Sequence, residues 1–339
     1  MPTIKDVATR SGVSIKTVSR VMNAPDTVTA RTRDRVMRAV RDLDFVPDRR
    51  ASAMRSGRSR VVGFLSDMVA TTPYSVDIIR GAQEAMAERG MTMLLANADG
   101  GGFGEHLRDF QGFRVDGVIV ATMYHRLVDD LPPLDDAVLV NGFEAALRYP
   151  TVLPDDWTAG YRAAGHLIAL GHRRIAFVTL PAEVAATPLR LDGFRTAHAE
   201  ARLPVDPDLI VEGVMRTPGQ GHDGQTWRAF EVACALLQQP DRPDAIVCGN
   251  DIVAMHVYNA VHACGLSIPA DVSLVGFDDN VVIATGLRPA LTSVGLPYAA
   301  MGRRAVEILL MPAPERPVET LWIDCPLVER ASCRSRAAP

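Results

Sequence analysis

From Val61 onward, short apolar runs alternate with amphipathic stretches about every 30 residues. No other feature limits the possible folds as strongly. Runs that are apolar throughout need cover on both faces, and the helices between them supply it. The pattern therefore predicts parallel sheets in an α/β body. Val61–Leu65, Thr92–Ala96, Gly117–Ala121, Val138–Val140, Ile175–Thr179, Leu209–Val211, Ala245–Cys248, Ser273–Gly276 and Thr292–Val294 read as strands. Ser75–Arg89, Trp157–Leu170 and Asp251–Cys264 read as helices between them. So many strands favour two doubly wound parallel-sheet subdomains over one large sheet. A length of 339 residues leaves room for them and for a further small domain.

The first 46 residues follow a different period. Thr3 with Asp6 three residues on can cap a first helix, which Gly12 breaks. Ser14 caps a second, Ile15 to about Asn23, with Val18, Val21 and Met22 on one face. Ile15, Lys16, Ser19, Arg20 and Asn23 then face outward. A third helix, from about Ala30 to Leu43, turns Val36, Ala39, Val40 and Leu43 inward. This is an all-α helix-turn-helix head, whose second helix reads a major groove. Lys16 and Arg20 can pair with guanine O6 and N7 there, and Ile15 can touch a thymine methyl.

Charge separates the two regions. Residues 1–60 hold 14 of the 36 Lys and Arg and 6 of the 40 Asp and Glu, a net +8. The remaining residues carry −12. A basic head on an acidic body points to a polyanionic partner for the head. Lys5 and Lys16 are the only lysines, which excludes a Walker-A loop and Schiff-base chemistry. Cys234, Cys248, Cys264, Cys325 and Cys333 are odd in number and never spaced CxxC. Reduced thiols in a cytoplasm are expected, with neither a disulfide framework nor a zinc cluster. No apolar run approaches a membrane span, and the N-terminus has no secretory apolar core.

An enzyme reading rests on one motif. Gly219-Gln220-Gly221-His222-Asp223-Gly224 matches G-x-G-x-x-G, with Asp241 and Asp244 about 20 residues on. An oxidoreductase of NAD type, or a plain sugar-binding module, is the alternative function. Val214-Met215-Arg216-Thr217-Pro218 delays the turn that a dinucleotide loop requires, which favours an extended loop. No catalytic constellation, metal-ligand spacing or cofactor is expected.

The head's Thr3-Ile4-Lys5-Asp6-Val7-Ala8, Gly12-Val13-Ser14, Thr17-Val18-Ser19-Arg20-Val21-Met22-Asn23, Arg33, Val36 and Phe45-Val46-Pro47 resemble the lactose-repressor (LacI/GalR) family of transcriptional regulators. The resemblance continues through Asp155-Trp157-Gly160, His166 to Ala176, Arg190-Gly193-Phe194, Asn250-Asp251, Pro269 to Asp279, and Pro289 to Val294. It implies a homodimer with a head, a hinge and a periplasmic-binding-protein-like body. Expected boundaries are 1–46 for the head and 47–60 for the hinge. The first effector subdomain is then 61–159 with 290–320, the second 160–289 with 321–330, and the tail 331–339.

Carried over residue by residue, the resemblance nominates Thr3, Ile4, Ser14, Ile15, Lys16, Thr17, Ser19, Arg20 and Asn23 as operator contacts. In the hinge it adds Ala51, Met54 and Arg55, with Met54 where the family inserts a leucine into the minor groove. Asp48 and Ser52 depart from the family's usual asparagine and arginine. For the effector cleft it nominates Asp67, Tyr74, Asn141, Arg190, Met215, Asn250 and Asp278, each of which also has a reading as a turn or cap. Leu296 stands where some members place a polar contact. Carboxylates, amides, a guanidinium and an aromatic ring suit a sugar, polyol or sugar acid. The function expected is a cytoplasmic, effector-controlled operator-binding regulator, most simply a repressor.

Overall fold

The computed structural model describes residues 2–46, 58–72, 75–98, 102–128, 131–216 and 225–336. Ala51, Met54, Arg55, Tyr74 and the Gly219–Gly224 motif lie outside the described residues. The chain divides into two compact units, Met1–Ser59 and Arg60–Pro339.

The first unit contains α1 (Ile4–Ser11), α2 (Ile15–Asn23) and α3 (Ala30–Asp42). The Thr3 side chain and backbone N–H both meet the Asp6 carboxylate, closing a capping box. Gly12 ends α1 at φ 64°, a left-handed conformation that glycine adopts without strain. The Ser14 hydroxyl accepts the Thr17 N–H and starts α2. Val7, Ala8, Val18, Val21, Val36 and Ala39 form the core, with Met22, Val40 and Leu43 packed on it.

The second unit contains two six-stranded sheets. The first holds β1 (Val61–Asp67), β2 (Thr92–Asn97), β3 (Val118–Leu127), β4 (Ala137–Phe143), β5 (Thr151–Pro154) and β13 (Thr320–Ile323), in the order β13-β5-β4-β3-β1-β2, all parallel. One face is covered by α4 (Asp77–Glu88) and α11 (Tyr298–Leu309), the other by α5 (Phe103–Gly112).

The second sheet holds β6 (Ile175–Thr179), β7 (Ile210–Glu212), β10 (Ala245–Cys248), β11 (Ser273–Asp278), β12 (Thr292–Gly295) and β14 (Leu327–Val328). Their order is β14-β12-β11-β10-β6-β7, and only β14 is antiparallel. Ile175 and Phe177 pack under α6 (Asp156–Ala169) and α7 (Ala186–Glu200). Ala176 and Val178 pack under α8 (Ala229–Leu237) and α9 (Asp251–Ala263). This is the strand alternation that two-sided cover demands. A short helix, α10 (Val281–Gly286), follows β11.

The chain crosses between sheets after β5, after β12 and after β13. Three of the expected boundaries shift accordingly. β12 belongs to the second sheet, because Val275–Asp278 pair with Thr292–Gly295, so the return to the first subdomain comes after 295 and not at 290. β13 pairs with Thr151–Pro154 in the first sheet, so 321–323 are not part of the second. α6 packs whole on the second sheet rather than being divided at 159. Residues 331–336 are not a free tail either. The Ser332 hydroxyl is fully buried, donates to the Leu274 carbonyl at 2.6 Å and accepts the Thr292 N–H at 2.8 Å.

Candidate functional site

The operator-facing candidates sit on a small rigid scaffold. Ile15, Lys16 and Arg20 on α2 are exposed, while Val18 and Val21 of the same helix are buried. One face therefore fixes the helix and the other is open to a groove. Thr17 and Ser19 are half-buried at the edge of that face. Thr3 and Ser14 are exposed but already cap helices, so their first role is to orient α1 and α2. Ile4 is partly buried on the head core, which gives it a packing role as well. Asn23 closes α2.

In the body, the carboxyl ends of parallel strands from both sheets converge on one cleft. Open α/β sheets bind ligands at such ends. The first sheet contributes Met123 and His125 from β3, Asn141 from β4 and Pro154 from β5. The second contributes Leu180 after β6, Asn250 after β10, Asp278 at the end of β11 and Leu296 after β12. Asp156, Arg190 and Tyr298 complete the polar wall. The enclosed space is about 30 Å³, room for one or two water molecules. A wider opening of about 370 Å³ shares Asp278, Leu296 and Tyr298 with it and continues past Asp77 and Val282.

Asn141 and Asp278 have backbone φ of 55° and 102°. Asn141 lies in the left-handed region that asparagine tolerates, whereas Asp278 lies beyond it, in a conformation rare for a non-glycine residue. Asn141 is held by a reciprocal pair: its Nδ2 donates to the Thr122 carbonyl, and the Thr122 hydroxyl donates to the Asn141 carbonyl. Asn250 caps α9 by accepting the Val253 N–H at 2.9 Å.

Arg190 and Asp156 form the centre of the wall. Nε and Nη2 of Arg190 lie 2.8 and 2.7 Å from Oδ1 of Asp156, and Nη1 donates to the Gly249 carbonyl at 2.7 Å. The guanidinium also lies 4.4 Å from the centre of the Phe277 ring. Oδ2 of Asp156 lies 2.9 Å from Nδ1 of His125. Close helix packing makes the contact possible. A Cβ on Gly160 would overlap the carbonyl of Arg190, and one on Gly193 that of Trp157, so α6 and α7 touch backbone to backbone.

Burial works to raise the Asp156 pKa, but the Arg190 charge and the His125 bond outweigh it and hold the carboxyl below its ordinary value. Burial likewise opposes the Arg190 charge, and Asp156 more than restores it. Asp278 goes the other way. Burial pushes it up to about 7, against the pull of Arg190 and the bond from the Tyr298 hydroxyl at 3.2 Å.

Of the residues nominated from sequence, Asn141, Arg190, Asn250 and Asp278 come together here. Asp67 and Met215 do not line this cavity. Asp67 is buried at the end of β1 in an ion pair with Arg126. Met215 is exposed on β8 (Val214–Arg216), where Arg228 reaches its sulfur. His125, Asp156 and Tyr298 were not nominated. Their contacts join residues far apart in the chain, which no local period reveals.

β8 pairs antiparallel with β9 (Gln225–Trp227), Val214 opposite Trp227. In sequence, the glycine motif falls between these two antiparallel strands. A dinucleotide loop joins a strand to the crossover helix of a parallel unit.

Comparison with known proteins agrees with this architecture. Residues 3–48 match the model of bacterial regulatory proteins of the lacI family, and residues 164–333 match a periplasmic binding protein-like domain. The sucrose operon repressor of Escherichia coli is 34% identical over 98% of this chain and 100% of its own length. The chain belongs to the lacI family of bacterial regulatory proteins.

As a lacI-family member it is a transcriptional regulator with a DNA-binding head and a ligand-controlled body. A LacI-family transcriptional regulator structure from Rhizobium etli is 37% identical, with a TM-score of 0.75 over 82% of this chain and all of that one. The regulator CelR, in complex with cellobiose, is 28% identical, with a TM-score of 0.65 over 98% of this chain and all of that one. Among the described residues of this lacI-family chain, no helix is long and apolar enough to cross a membrane.

Proposed function

We propose that this regulator is a cytoplasmic, non-enzymatic repressor that holds a pseudo-palindromic operator as a homodimer and answers to a small polyhydroxy effector. The observation that carries this reading is the meeting of strand ends from both sheets around Asn141, Arg190, Asn250 and Asp278. A ligand seated there touches both subdomains at once, so it can favour one arrangement of the body over another. That difference in affinity is all that allows an effector to change DNA binding. Ile15 and Lys16 are the base-reading residues of α2, Arg20 contacts a third base or a phosphate, and Thr17 and Ser19 approach the phosphates. Asn141, Arg190, Asn250 and Asp278 line the effector seat, with Met123, Leu180 and Leu296 as its apolar floor. CelR, with its bound cellobiose, and the sucrose operon repressor support a carbohydrate as the effector class.

The test is a thermal-shift screen of the full chain against neutral sugars, polyols, sugar acids and nucleosides, because a bound ligand raises apparent stability. A hit must then change operator affinity in a gel-shift titration. A hit that stabilises the chain and leaves operator affinity untouched would remove the effector reading.

A further inference from the structure

Among the described residues lining the cleft, Arg190 is the only arginine and there is no lysine. An anionic ligand would therefore have to find its counter-charge in Arg190. That charge is already matched. Two of the guanidinium nitrogens lie on one oxygen of Asp156, the third donates to the Gly249 carbonyl, and Phe277 lies against the group. Asp156 is itself completely buried, and His125 fixes its other oxygen. The pair cannot swing apart into solvent, as a surface ion pair can. Asp278, on the same wall, supplies a second acidic group and no cation. A carboxylate or phosphate entering this space would lose its hydration beside two acidic groups and meet no unmatched cation. Hydroxyl groups face no such penalty. Asp278 accepts hydrogen bonds, and the Asn141 and Asn250 amides present further polar atoms.

We propose that Asp156 sets the charge class of the effector: by neutralising Arg190 it makes the cleft select an uncharged polyhydroxy ligand and reject sugar acids and sugar phosphates. Asp156 acts through Arg190 and is a positioning residue. The inference rests on the reading of the cleft as the effector seat, and it narrows the sugar, polyol or sugar acid expected from sequence to the neutral members.

The test uses the full chain with Asp156→Asn and Asp156→Ala. The probes are sodium formate against formamide, and D-gluconate against D-glucitol, each compared with equal sodium chloride. Wild type should gain no melting temperature from formate or gluconate beyond chloride. Both variants should gain several degrees from the two anions and none from formamide, with at least tenfold tighter gluconate binding than wild type by calorimetry. If Asp156→Ala folds only in formate, that is the expected behaviour of an unmatched buried guanidinium. Asp156→Asn, close in shape, carries the comparison with gluconate. The proposal is overturned if wild type takes up gluconate as tightly as the variants, or if folded variants show no preference for anions. An Asp156→Asn chain that neither anion restores also overturns it. If the variants take up formate while the effector response on operator DNA stays as in wild type, the cleft is not the effector seat. That outcome removes the effector reading and leaves the neutralisation of Arg190 standing.

Discussion

His125 of the first subdomain and Asp156 of the second meet across the cleft, Nδ1 to Oδ2 at 2.9 Å, with both side chains buried. A second bridge runs from the Tyr298 hydroxyl on α11 to Asp278 on β11. These two contacts tie the subdomains together around a space of about 30 Å³, far smaller than a sugar. An effector that reaches Arg190 from the wider opening beside Asp278 must therefore part the walls or replace one of the bridges, which couples its binding to the angle between the sheets.

Removing the first bridge should loosen the body without exposing a bare charge, because Asp156 keeps Arg190. His125→Ala should cost about 1.5–3 kcal/mol, the range for a hydrogen bond to a charged group. Thermal unfolding followed by circular dichroism should show a melting temperature lower by a few degrees. The Trp322 ring lies 6.0 Å from that of His125, so its emission should change as well. An unchanged melt would mean the bridge contributes nothing.

Arg190→Ala should be more damaging than a surface change. It leaves the Asp156 carboxylate buried with His125 alone, and breaking a buried pair from one side costs about 3–5 kcal/mol. Replacing both members, as in Arg190→Met with Asp156→Leu, should restore most of that stability. Urea titration of the single and double variants checks this. Equal losses in both would show that packing, and not the ion pair, governs the site.

Asp278 predicts a pH dependence. Its folded pKa of about 7 lies above its ordinary value of 3.8, so the folded state keeps a proton that the unfolded chain releases. The associated stability is complete below pH 4 and is lost as the pH rises to 7. Between pH 5 and 7 this one group should lower stability by up to about 2 kcal/mol, allowing for its partial exposure. Burial and the nearby Asp278 charge also raise Asp251, so Asp278→Asn removes the Asp278 slope and eases that of Asp251 as well, both in the same direction. Urea midpoints at pH 5, 6 and 7 should fall less steeply in Asp278→Asn. Parallel lines would contradict the assignment.

Lys16→Ala should weaken operator binding and relax base preference at one half-site position. A good bidentate base contact discriminates by about 1–3 kcal/mol. Binding to duplexes varied one position at a time provides the readout. A uniform loss over all sequences would make Lys16 a phosphate contact.

Much of this was legible in the sequence where the physics is local. The capping pair Thr3–Asp6, the Ser14 cap, the turn at Gly12 and the inward Val18 and Val21 lie within one or two helical turns, and the head followed them. Strands such as Ile175–Thr179 and Ala245–Cys248 stood out as continuous apolar runs. The sheet that Thr292–Gly295 joins, and the strand Thr320–Ile323 itself, did not. Thr292–Gly295 and Thr320–Ile323 have similar local character, and only pairing with β11 or β5 decides which sheet each joins. The site was half legible for the same reason. Asn141, Asn250 and Asp278, nominated through the family resemblance, do stand at strand ends, where polar residues face a cleft. Asp67 stands at one too, but Arg126 occupies it, and His125 with Asp156 became visible only once the two sheets faced each other.

The central claim is that occupation of the cleft and operator binding are coupled. The most direct measurement takes the full chain, an operator selected from random duplexes, and a neutral sugar identified by thermal shift. Operator affinity is measured with and without the sugar, and sugar affinity with and without the operator. The account predicts a change of about 5- to 150-fold in operator Kd and the same factor in sugar Kd, since coupling is reciprocal. A sugar that binds the body with full stabilisation and leaves both constants unchanged would contradict it.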